Sequence, residues 1–132
     1  MTTDADGWMA ADQPIVSPNG NRVAYAWFDY HAQSTTVELR VANIDGSGIR
    51  SVYQRSDIGQ IWPAAWTSDG SQILTYLEAE NDGIELALIS VDDEQVRYLE
   101  GFGNDWWPNG IAISPDDSAV LYDAPSRDDP LQ

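Results

Sequence analysis

The turn Ser17-Pro18-Asn19-Gly20 recurs as Thr67-Ser68-Asp69-Gly70 and again as Ser114-Pro115-Asp116-Asp117, at steps of 50 and 47 residues. Self-similarity at periods of about 20–50 residues marks solenoids, propellers and arrays, whose units bury their faces only against one another. Proline presets one backbone angle of such a turn and glycine accepts positive φ. Each copy is followed at once by an apolar run of strand character.

Aligned on these turns, a complete unit reads as four short strands. The first unit places them at 14–16, 22–28, 36–41 and 49–53, and the second at 61–66, 72–77, 84–89 and 95–99. The third has 111–113 and 119–122, then Pro125 and Pro130 break any regular pattern. Val23, Ile73 and Val120 share one repeat column, and Ala24, Leu74 and Leu121 share the next. Val37, Leu39 and Val41 alternate with Glu38 and Arg40, the mark of a half-buried strand. Ile44-Asp45 precedes Val91-Asp92 by 47 residues, which assigns the three extra residues of the longer step to a loop at 29–35. No stretch shows helical periodicity, and β-branched and aromatic residues fill the apolar runs. The expected fold is therefore all-β, with about two and a half four-stranded β-propeller-type blades. An antiparallel sandwich also has short strands, but does not ask for near-identical units of four. The expected organisation is a flexible acidic arm at 1–12, a repeat region at 13–123 (units 13–55, 60–100 and 108–123) and a tail at 124–132.

Composition restricts the partners. Twenty-two acids against six bases, all arginine, give a formal net charge of −16. Phosphate backbones and anionic membranes repel such a chain, so neither nucleic acid nor membrane is expected as a partner. Apolar residues at 42%, with six Trp and six Tyr, suffice for a core. There is no cysteine, and no window approaches 18 apolar residues. The acidic, polar start lacks the pattern of a secretion signal. The expectation is a soluble cytoplasmic protein, or a periplasmic or extracellular one if the chain is a piece of a longer exported protein.

Two elements carry a family resemblance. Trp66-Thr67-Ser68-Asp69-Gly70, and Val16-Ser17-Pro18-Asn19-Gly20 and Ile113-Ser114-Pro115-Asp116-Asp117 with it, is similar to a Trp-Ser-Pro-Asp-Gly motif. Asn43-Ile44-Asp45-Gly46-Ser47-Gly48, and more loosely Ser90-Val91-Asp92-Asp93, matches an Asn-x-Asp-Gly-Ser-Gly motif. Together they resemble the TolB-type β-propeller repeat over residues 13–123. The resemblance implies propeller blades and no particular activity, because fold does not fix function. It admits a non-catalytic propeller segment of a larger prolyl-oligopeptidase-like hydrolase. Propellers typically have 4–8 blades, so two and a half blades need something to complete them.

His31 is the only histidine, beside Tyr30 in the first unit's loop. A general base or metal ligand is conceivable there, but an exposed loop residue is expected, since no second histidine offers a zinc site. No Gly-x-Ser-x-Gly elbow exists, and Ser17, Thr67 and Ser114 fall where a hydroxyl bonds nearby backbone. No catalytic constellation is evident, so no enzyme and no cofactor are expected. Asp92, Asp93, Asp116 and Asp117 could offer oxygens to a hard cation, but no calcium-loop pattern is present and structural use in turns is expected. Trp62, Trp106 and Trp107, with Tyr30 and His31 as a second cluster, are the binding-surface candidates. Trp66, inside the repeat motif, is expected to pack blade against blade. The expected function is a non-catalytic protein–protein interaction or self-assembly module. Its partner would be a second copy, in a homo-oligomer that completes the propeller, or another protein. A carbohydrate- or small-ligand-binding propeller is the further alternative.

Overall fold

A computed structural model describes residues 3–4, 7–31, 35–56, 58–79, 83–103 and 111–122. The fold is all-β, in three antiparallel sheets that follow the repeat. The first has the order β1 (Thr3–Asp4), β2 (Gly7–Val16), β3 (Arg22–His31), β4 (Thr35–Asn43), β5 (Arg50–Arg55). The second is β6 (Ile58–Trp66), β7 (Gln72–Ala79), β8 (Gly83–Ser90), β9 (Val96–Gly103). The third is the hairpin β10 (Ile111–Ile113) and β11 (Val120–Tyr122). These are propeller-type blades, two complete and a third represented by its inner pair.

The predicted columns coincide with the observed register. Val16 pairs with Val23, Trp66 with Ile73 and Ile113 with Val120. The repeated turns close alike: Gly20, Gly70 and Asp117 N–H groups donate to the carbonyls of Ser17, Thr67 and Ser114, each at 2.9 Å. The φ angles at these three positions are 76°, 72° and 60°, so the third copy holds an aspartate in the left-handed region that glycine occupies in the other two.

Alternation along the strands gives each blade two faces. The leading face of blade one carries Ala24, Ala26, Phe28, Val37, Leu39, Val41 and Val52. The trailing face of blade two meets it with Ile73, Leu77, Ala87, Ile89 and Val91, and all of these share one buried cluster with Trp66. The core of the molecule is thus the seam between the first two blades.

Two expectations are corrected. Residues 1–12 are not simply an arm: Gly7–Val16 is one strand, and β1 adds to its inner edge. The strand was hidden because Gln13-Pro14 interrupts it. The register shifts between Asp12 and Ile15, where Gln13 takes φ 55° and its N–H donates to Asp12 Oδ1 at 2.8 Å. Proline at a bulge removes no ladder bond that is needed there. The second correction is the loop at 29–35. The β3–β4 hairpin continues through Asp29↔Thr36 and Tyr30↔Thr35, so the extra residues lengthen two strands instead of forming a long loop. The long β3 in turn gives Gly7–Asp12 a partner for its backbone groups.

Candidate functional site

The seam between blades one and two sets the standard for the faces that have no neighbouring blade among the described residues. Six polar and ring contacts make that seam directional. The Arg22 guanidinium lies over the Trp66 ring at 5.4 Å and donates to the Gly70 carbonyl at 2.8 Å. Trp66 Nε1 donates back to the Ile15 carbonyl at 3.2 Å. Arg50 donates to the Val91 carbonyl and lies 4.0 Å from Asp92. The Tyr53 and Tyr98 hydroxyls meet at 3.0 Å, with Arg55 donating to Tyr53 at 3.2 Å. Burial first, and then the Tyr98 hydroxyl, push the Tyr53 phenol up to about 12. Planar guanidinium forks suit this work better than ammonium groups.

The two ends of the array differ. On the trailing face of blade one, Arg40 replaces the fully buried Ala87 of blade two. Its guanidinium covers the Trp27 ring at 4.3 Å and is held by Glu38 at 3.1 and 3.3 Å. A charged fork over an aromatic ring makes this face more polar than the matching face of blade two. Ile44 stays 56% exposed there, whereas its counterpart Val91 is fully buried. At the other end, the described residues of blade three cover only the inner strands of blade two. Beside it a cleft of about 370 Å³ opens, lined by Leu86, Leu88, Arg97 and Leu99 of blade two and by the Asp117–Val120 segment. Leu86 is its buried floor and Arg97 its exposed cation. Among the described residues Arg97 has no hydrogen-bonding or ionic partner.

The acids act within turns. Asp69 Oδ1 accepts from Ser71 N–H at 3.0 Å, Ser71 Oγ at 2.7 Å and Thr67 Oγ1 at 2.8 Å. Asp116 does the same with Ser118 and Ser114. These donors, the Ser71 and Ser118 hydroxyls foremost, pull each carboxyl down to about 2. Ser47 holds Asp45 below the usual carboxylate range, and the Ser90 hydroxyl, followed by the Gln95 N–H, does so for Asp93. Asp117 reaches across to blade two, accepting from Ser68 N–H at 3.0 Å and Ser68 Oγ at 2.6 Å. Among the described residues no three His, Asp or Glu side chains group so as to hold a metal ion.

Of the binding-surface candidates, Trp62 lies within β6. It is half-buried, with its ring stacked on Tyr76 at 4.9 Å and 29°. Tyr30 and His31 belong to β3, so the backbone at His31 is strand, paired with Gly7. Trp106 and Trp107 lie outside the described residues. Trp66 packs between blades as expected. The residues that sequence reasoning passed over are the arginines. Arg50 and Arg97 stand 47 residues apart, and extending the repeat alignment to its charged columns would have found them.

The sheets, repeated turns and inter-blade arginines define an array of β-propeller-type blades whose two outer faces differ in polarity among the described residues. No family model matches the chain, and no curated protein matches it.

Proposed function

We propose that this chain is a non-catalytic protein-interaction module that associates through the open flank of its third blade. One observation carries the reading: the cleft of about 370 Å³ over the outer strands of blade two, at the place where blade one is fully covered. Apolar side chains and an arginine set in a concave surface are the usual material of recognition. The repeated hydroxyls support the non-catalytic side, because Ser17, Thr67 and Ser114 each donate to the turn residue two positions on. The motifs at 43–48 and 66–70 support membership of the TolB-type repeats. The stacking of Trp62 on Tyr76 favours a packing role over a free platform for a sugar ring.

A photo-reactive amino acid placed at Leu88 tests the reading, with the exposed Ile44 of blade one as the control. Discrete polypeptide adducts from position 88 in cells are expected. No adduct at 88, or equal labelling at 44, would sink it. Light scattering at low and high salt then shows whether the chain itself is the partner.

A further inference from the structure

The cleft is a copy of an occupied socket. The 47-residue step superposes Leu86 on Leu39, Leu88 on Val41, Leu99 on Val52 and Arg97 on Arg50. In blade one, Leu39, Val41 and Val52 are buried in one cluster with Ala87, Ile89 and Val91 of the next blade, and Arg50 grips the Val91 carbonyl beside Asp92. The filling of the occupied socket is therefore a third blade strand and the turn that follows it. Beside the open socket, β11 pairs only with β10 among the described residues, whereas its counterpart β7 pairs on its other edge with β8.

We infer that the cleft receives a β-hairpin from a partner protein, which supplies the outer two strands of blade three. The inference rests on the interaction reading above. The incoming strand adds to the free edge of β11 by main-chain hydrogen bonds. Its alternate residues, small or β-branched and apolar, lie on Leu86, Leu88 and Leu99. Its turn offers Arg97 a carbonyl followed by a carboxylate. No described strand of this chain is free to fill the cleft, because β4–β5 and β8–β9 are built into their own blades. A second copy fits poorly. Its Ile44-Asp45 turn matches Val91-Asp92 by position, but comes attached to β2 and β3, whose place β10 and β11 already fill. With a net charge of −16 on this chain, a partner that is basic outside the turn is favoured.

The probe is a labelled synthetic peptide with the sequence of residues 83–103, the hairpin that fills the equivalent place in blade two, and a scrambled peptide is the control. The peptide is acidic, so anisotropy is read at about 0.5 M salt, where exposed charges are screened. Saturable binding is expected, weakened about tenfold by Arg97→Ala through the lost charge-assisted bond and abolished by Leu88→Asp. Both substituted positions face the cleft, and circular dichroism checks that each variant is folded. Absence of saturable binding, or binding indifferent to both changes, would overturn the inference. A homo-oligomer that Leu88→Asp dissolves would overturn it too, because the occupant would then be a second copy, while the interaction reading would stand. Photo-adducts at 88 without peptide binding separate the two in the same way.

Discussion

At the residue scale, the repeated turn is a small hydrogen-bond circuit whose members are separable. Thr67 is nearly buried; its Oγ1 accepts from Gln72 N–H at 3.1 Å and donates to Asp69 at 2.8 Å. Thr67→Ala leaves both groups short of a partner and is expected to cost about 1–2 kcal/mol in urea unfolding. Thr67→Ser should restore most of it. The carboxylates of Asp69 and Asp116 lie at about 2 in the folded chain against an ordinary value of 3.8. A carboxyl depressed by folding stabilises fully above the unfolded value and loses that contribution as pH falls to the folded one. Stability is therefore expected to decline between about pH 4 and pH 2. Asp69→Asn, the residue type that blade one carries at Asn19, should lower stability at neutral pH and flatten the acid limb followed by circular dichroism.

Two kinds of element hold blade to blade. Arg22→Ala removes the Gly70 bond and the cover over Trp66, and a loss of about 2–3 kcal/mol is expected on denaturant unfolding. Arg22→Lys should recover only part, since an ammonium cannot both lie flat on the ring and reach the carbonyl. The hairpin β10–β11 depends on Asp117, which holds Ser68 from a left-handed backbone position. Asp117→Ala removes those bonds and keeps the strained φ, at roughly 1–2 kcal/mol for the backbone alone. Faster amide exchange at residues 111–113 and 120–122 is expected, with β7 and β8 unchanged; equal loss throughout would contradict the local role. The strand pattern itself was legible from the sequence because Val23, Ile73 and Val120 mark one column with plain apolar residues. Gly7–Asp12 was not legible: Gln13-Pro14 looks like a boundary, and only the partner strand β3 shows it to be a bulge. The site was half legible. The two strands of blade three could be read from the repeat, but Arg97 gains meaning only when Arg50 is seen gripping Val91.

At the scale of the whole molecule, the charge of −16 opposes compaction and the apolar seam between blades one and two opposes charge. Screening relieves the first without weakening the second. The melting temperature is therefore expected to rise from low salt to about 0.5 M salt in calorimetry. A fall would show that the exposed ion pairs matter more than the net repulsion.

Arg22 and Arg50 share one more property: both end on main-chain carbonyls, those of Gly70 and Val91. A carbonyl is present whatever side chain its residue bears. The grip therefore does not read the side chain of the receiving residue, although the φ of 72° restricts position 70 to glycine-like residues and burial restricts position 91 to apolar ones. At these two points the seam is keyed to the backbone of the next blade, so its alignment is fixed by the repeat geometry as well as by matched side chains.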